Sequence, residues 1–330
     1  MKPPDRKVTF GLIVGTRGFF NPRLAQEGRR QLLAKLDALG CSHVIVPENA
    51  TAYGAVETLA DARKCAELFH AHRDHIDGII VTLPNFGDEL GVVQTLDLAR
   101  LHVPVLVQAS PDRLDAVDVS GRRDAFCGKL SVCNNLYQYG IPFTDTREHT
   151  SDIDSASFEG DVTFFAGVCR VVGGLRKARV GAIGARPAAF QTVRFSEKLL
   201  QDSGITVVPV DLSEIIARAQ RLDDQAVQVQ QKVTEIREYG RIPARVADSS
   251  VLKQAKLTVA IEGWMAENEL HASAIQCWTS IQNNYGCATC LSMSLMGQKG
   301  MPSACEVDVA GAVSMYALLL ASGQAPGFLD

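Results

Sequence analysis

The sequence predicts an α/β fold of two doubly wound, Rossmann-like domains with mostly parallel sheets, and three observations carry that expectation. Short β-branched runs alternate with amphipathic stretches from the first strand onward. The strand-like runs are nearly continuous in apolar residues, as in parallel strands covered on both faces by helices. The same alternation restarts after about residue 160, and 330 residues are enough for two domains of ordinary size.

In order, Val8–Val14 reads as a strand, and 22–39 as a helix with Pro22 in its first turn and Gly40 as its stop. His43–Pro47, Gly78–Thr82 and Val103–Gln108 read as further strands, with helices over 58–72 and 89–101 between them. Residues 109–160 are rich in Asp, Ser, Arg and Gly, with a helix around 129–139, and the domain junction is placed there: residues 1–150 form the N-terminal domain and 151–330 the second. The second domain is expected to run as a helix over 160–173, a strand over 178–184, a helix over 188–202 and a strand over 205–209. Helices over 212–219, 223–239 and 249–268 follow, then strands at 272–276 and 302–305. Asp308 can cap a helix from Val309 to about Ser322, stopped by Gly323, and 324–330 reads as one more strand.

Hydrophobic residues make up 46% and charged residues 21% of the chain, which places it among globular proteins. With 33 basic against 37 acidic side chains and no long run of either sign, a broad nucleic-acid or anionic-membrane surface is not expected, and the ligand is expected to be small. No apolar leader follows the opening residues, and both long uncharged stretches are interrupted by polar residues or by Gly and Pro. Nine scattered cysteines read as buried thiols in a reducing cytoplasm.

Gly11–Gly18 and Gly181–Arg186 follow strands without forming either the dinucleotide or the phosphate-loop fingerprint, which argues against a nicotinamide cofactor. They allow close backbone approach with Arg17 and Arg186 at the rim, a combination suited to hydroxyls or a small anion. Asn85 lies in the equivalent loop after the third strand, where turn chemistry alone also accounts for the residues. Gln276 and Trp278 end another strand; a Trp face with nearby hydrogen-bonding groups suits a sugar ring, and a core Trp is the other reading.

Cys287-Ala-Thr-Cys290 has half the spacing of a zinc site with no second half nearby, and buried core thiols also explain it. His70-Ala-His-Arg-Asp-His75 is similar to the metal loop of metallo-β-lactamase-like hydrolases but ends a helix, with no downstream ligand set. Glu306 and Asp330 would both reach the carboxyl edge of the second sheet. A helix of fourteen residues descends about 21 Å, and seven extended residues climb back at most about 25 Å. Two such carboxylates can hold a hard divalent cation; a capped helix with a solvated chain end is the alternative.

The segment Cys305–Asp330 resembles the metal-binding segment of the L-fucose isomerase and L-arabinose isomerase superfamily, in its fucose-isomerase-like branch. Residues 275–279, 15–20 and 183–190 are also similar to that branch, and the resemblance covers essentially the whole chain. It implies a metal-dependent aldose–ketose isomerase acting on a monosaccharide through an ene-diolate. Glu306 and Asp330 would be Mn²⁺ ligands and the acid/base pair, and Arg17, Asn85, Gln276 and Trp278 substrate contacts. The family's third, C-terminal domain, with the histidine that completes the metal site, has no counterpart before Asp330. The chain as given is therefore expected to bind Mn²⁺ weakly and to turn over poorly. The resemblance also implies a homo-oligomer, with the 85–88 loop as a wall shared between subunits. A non-catalytic sugar-binding or sensing protein is the alternative.

Overall fold

The computed structural model describes residues 7–329, which divide into two compact units, one ending at Gly173 and the other beginning at Gly174. Asp330 lies outside the described residues.

The first unit contains β1 (Thr9–Val14), α1 (Pro22–Ala38), β2 (Ser42–Ile45), α2 (Leu59–Ala71), β3 (Gly78–Leu83), α3 (Glu89–Ala99), β4 (Val105–Ala109), α4 (Ala125–Gln138), β5 (Thr144–Asp145) and α5 (Ala156–Leu175). Every strand pairing is parallel, in the order β2-β1-β3-β4-β5. This is the doubly wound arrangement whose order reverses beside β1, the place at the carboxyl edge where such sheets take ligands. All six residues of β3 are buried, which fits a strand covered on both faces.

Local chemistry fixes the helix starts: Asn21 accepts from the Arg23 backbone N–H, Thr58 and Asp61 form a reciprocal capping box, and Asp88 accepts from the Leu90 and Gly91 N–H groups. The division of units falls later than the expected junction at residue 150 because α5 packs on the first sheet. Phe158, Val162, Phe165 and Cys169 share a buried cluster with Phe10 and Leu12 of β1, and Phe165 stacks on Phe10 with ring centroids 5.7 Å apart.

The second unit contains β6 (Arg179–Ile183), α6 (Glu197–Asp202), β7 (Thr206–Val210), α7 (Leu212–Arg221), α8 (Val227–Tyr239), α9 (Asp248–Glu267), β8 (Ala272–Ile275), α10 (Ser280–Asn284), α11 (Cys290–Gln298), β9 (Ser303–Cys305) and α12 (Val309–Ser322). Its sheet is again all parallel, in the order β7-β6-β8-β9, and its order reverses beside β6.

Two expected elements differ. The helix over 188–202 is reduced to α6, because the Arg186 guanidinium takes the carbonyls of Pro187 and Phe190 at 2.9 and 3.0 Å. That arginine is folded back on its own loop. The strand expected over 324–330 is not formed among the described residues, since Pro326 and Gly327 follow the left-handed Gly323 that ends α12. The tail nonetheless returns to the first turn of α12: a Cβ on Gly311 would lie 2.6 Å from the Phe328 ring.

All nine cysteines are free. Burial pushes the Cys65 and Cys169 thiols up to about 12, so both are inert core groups. Among the described residues no helix is long and apolar enough to cross a membrane.

His271, at the start of β8, accepts a hydrogen bond at Nδ1 from the Arg179 backbone N–H (3.1 Å), and burial lowers its imidazole below the ordinary value. The folded state then resists a proton that the unfolded chain takes up near pH 6.5. Stability should therefore be complete above that pH and decline as pH falls toward the lowered folded value. Urea titrations between pH 5 and 8 should show this slope flattened in His271→Gln.

Candidate active site

At the carboxyl edge of the second sheet, the chain leaving β8 carries Gln276, Cys277 and Trp278, and the chain leaving β9 carries Glu306. Ile275 pairs with Cys305 in the parallel register, so the two strand ends lie side by side. Glu306 and Val307 both adopt left-handed backbone (φ 60° and 55°), which is costly for non-glycine residues and most of all for a β-branched valine. The turn is held by Val307 N–H donating to the Ile275 carbonyl (3.2 Å) and Asp308 N–H to the Cys305 carbonyl (2.9 Å), while Asp308 caps α12 through Gly311 N–H (2.8 Å). The backbone thus stores strain at the residue expected to move a proton.

Glu306 is half-buried, and its carboxylate lies within 4.8 Å of the sulfur atoms of Cys277 and Cys305, which are equally close to one another. Burial raises the Cys277 thiol, opposed by hydrogen bonds with the Glu306 backbone and the Cys305 side chain. Among the described residues this is the group of three potential metal ligands the fold assembles. The 70–75 histidines are exposed at the end of α2, and Cys287 is buried while Cys290 is exposed.

Gln276 joins two loops. Its Oε1 accepts from Ala185 N–H (2.9 Å), and its Nε2 donates to the Trp278 carbonyl (3.2 Å). Gly184 (φ +83°) makes room for it: an added Cβ would lie 2.4 Å from Gln276 Oε1 and 2.8 Å from its Cβ. Gly184→Ala is expected to cost about 1–2 kcal/mol through backbone strain and displacement of Gln276, read as a lowered urea midpoint. Trp278 is 55% exposed and meets Phe190 edge-on, with centroids 6.0 Å apart at 79°. The pair leaves an indole face open to a ligand.

Arg17 and Asn85 come together at the carboxyl edge of the first sheet. Buried Asn85 accepts at Oδ1 from the backbone N–H groups of Arg17 (3.3 Å) and Gly87 (3.1 Å), and its Nδ2 donates to Thr16 Oγ1 (2.9 Å). Its amide is used to join two loops. The Arg17 guanidinium sits 4.3 Å above the Phe86 ring and pairs with Asp88 and Glu89. Phe86 in turn stacks on Phe20, centroids 6.1 Å apart.

Sequence reasoning missed Cys277 and Cys305 as partners of Glu306, and Asp88 and Glu89 as partners of Arg17. The available signal was position: Cys305 ends a predicted strand, and the others follow predicted strands at carboxyl edges.

The N-terminal domain of the fucose/sulfoquinovose isomerase family matches residues 11–176, which is half of the chain. The chain belongs to the fucose/sulfoquinovose isomerase family. Sulfoquinovose isomerase from Priestia aryabhattai is 26% identical over 315 residues, covering 94% of this chain and 66% of that protein. Sulfoquinovose isomerase from Alkalicoccus urumqiensis is 31% identical over 254 residues, covering 76% of this chain and 55% of its own length. This family member therefore spans no more than about two thirds of those relatives. The family's matched segment ends just inside the second unit, so the Glu306 cluster lies outside it.

Around Glu306 the described donors are one carboxylate and two sulfurs. Hard Mn²⁺ prefers oxygens and imidazoles to these sulfurs, and Asp330, the expected second carboxylate, lies outside the described residues.

Proposed function

We propose that this protein is an aldose–ketose isomerase acting on a monosaccharide, with Glu306 as the proton-transfer group. The observation that carries the reading is the strained placement of the half-buried Glu306 carboxylate at the carboxyl edge of a doubly wound sheet, beside an exposed aromatic. Open α/β sheets bind ligands at that edge.

In this reading the sugar ring lies against the exposed face of Trp278, with Phe190 packed perpendicular to the indole and Gln276 fixing the loop that carries it. Glu306 takes the proton from C2 of the aldose and returns it to C1, and the reverse gives the aldose again. The hydroxyl proton passes from O2 to O1 in the same conversion, so C2–H and O2–H break, C1–H and O1–H form, and the step balances without a redox partner. Sulfoquinovose and fucose, the sugars in the family's name, are the first substrates to test.

The test is conversion of each aldose to its ketose, followed by proton NMR with Mn²⁺ added, the ion the sequence resemblance implies, and with chelator as control. Ketose formation supports the reading. Saturable binding of the sugar with no ketose formed over many hours contradicts it and leaves a binding or sensing role.

A further inference from the structure

We infer that Cys277, Cys305 and Glu306 form a binding site for a thiophilic divalent cation of the Zn²⁺ class. Three ligand atoms, two sulfurs and a carboxylate oxygen, lie within 4.8 Å of one another at the ends of two neighbouring parallel strands. In a tetrahedral zinc site with Zn–S bonds of about 2.3 Å, two sulfurs stand roughly 3.8 Å apart. The unligated side chains therefore need to close by at most about 1 Å between the sulfurs and about 1.3 Å toward the carboxylate oxygen, within the reach of small χ rotations. The strand register supplies this placement. Ile275 is opposite Cys305, so the chain leaving β8 at Cys277 and the chain leaving β9 at Glu306 run on side by side past the paired strand ends.

The donor types choose the ion. Thiolates favour Zn²⁺ and its softer relatives over Mn²⁺ and Mg²⁺, and a Cys₂-carboxylate set leaves the fourth tetrahedral position to water. Cys277 is buried, while Cys305 and Glu306 are half-buried, so the ion would enter from the Glu306 side. On ligation both S–H bonds break, two S–metal bonds form, and the two protons leave to solvent, with no change of oxidation state. This site is separate from the Cys287/Cys290 spacing, whose two members differ in exposure. A consequence follows for turnover: ligation would withdraw the carboxylate that moves the proton, so Zn²⁺ would inhibit. That consequence rests on the isomerase reading, whereas the ion site does not.

Co²⁺ reports the site without any assay of activity. Titrating the reduced 330-residue chain with Co²⁺ should produce a thiolate-to-cobalt charge-transfer band in the near ultraviolet, bleached by stoichiometric Zn²⁺. Cys277→Ser and Cys305→Ser should each remove the band or weaken Co²⁺ binding by more than about tenfold, the lower bound that even outer-sphere changes reach. Cys287→Ser and Cys290→Ser should leave it intact. Cys277 is buried, so if C277S fails to fold, C305S at the half-buried position carries the test, with circular dichroism confirming its fold. Absence of the band with Co²⁺ in excess overturns the inference, as does a band that C305S leaves at wild-type Co²⁺ affinity or that is lost in C287S and C290S. An inactive protein that shows the Cys305-dependent band would sink the isomerase reading and keep the site; an active protein without the band would do the opposite.

Discussion

Glu306→Gln is expected to lower turnover by about 10²- to 10⁴-fold while leaving the fold intact. The amide matches the carboxylate in size and can still accept and donate hydrogen bonds, but it cannot hold and return a proton at neutral pH, and general acid–base transfer is worth that range. The left-handed backbone at 306 and 307 is set by the bonds from Val307 and Asp308 N–H to the Ile275 and Cys305 carbonyls, and a side-chain change leaves these in place. KM should therefore move much less than kcat, because the exposed Trp278 face remains. A variant that loses binding and turnover in equal proportion would assign Glu306 to holding the sugar instead.

Gly128→Ala is the largest expected effect on stability. Gly128 lies in α4 where the helix crosses the loop after β3, and an added Cβ would fall 1.4 Å from the Phe86 carbonyl oxygen and 2.8 Å from its Cα. The obstacle is backbone, which cannot rotate away. Either α4 lifts from the sheet or the 84–88 loop shifts, and with it the Asn85 bonds to Arg17 and Gly87 and the stack of Phe86 on Phe20. A loss of about 3 kcal/mol or more is expected, at the upper end of overpacking costs. Gly160→Ala, in α5 of the same unit with nothing within 4 Å of its added Cβ, should be neutral or stabilising by up to about 1 kcal/mol. Urea midpoints of the two variants would separate these outcomes, and equal midpoints would contradict the packing described.

Except for the two-residue β5, the strands of both sheets are legible in the sequence because a parallel strand buried on both faces is written as a contiguous apolar run, as in Gly78–Leu83. Helices with side-chain caps are legible for the same local reason, and Asp308 before α12 is an instance. What was not legible depends on distant contacts or on competition for backbone groups. The 188–202 segment has helical composition, but Arg186 removes two of the carbonyls a helix would use. A helix over 160–173 is readable, yet its extension to Ala156–Leu175 and its attachment to the first sheet, where Phe165 meets Phe10, are recorded by no local pattern.

At the candidate site, Gln276, Trp278 and Glu306 could be singled out because strand ends in such folds carry chemistry. The neighbours of Glu306 could not. Cys277 and Cys305 are separated by 28 positions in sequence and are joined only by the register of β8 against β9, whereas the two cysteines close in sequence, Cys287 and Cys290, divide between interior and surface. The left-handed conformation of Glu306 and Val307 carries no glycine to announce it.

The central claim, that Glu306 moves the C2 proton of an aldose, is tested most directly by isomerisation in D₂O. Wild-type protein should deliver sugar carrying solvent deuterium at the carbon that receives the proton, because a carboxylate exchanges with solvent while the ene-diolate is held. Glu306→Gln should form ketose and incorporate deuterium at rates lower by the same factor of about 10² to 10⁴. Isomerisation that proceeds without any solvent deuterium in the product, or deuterium incorporation that continues at the wild-type rate in Glu306→Gln, would contradict the account.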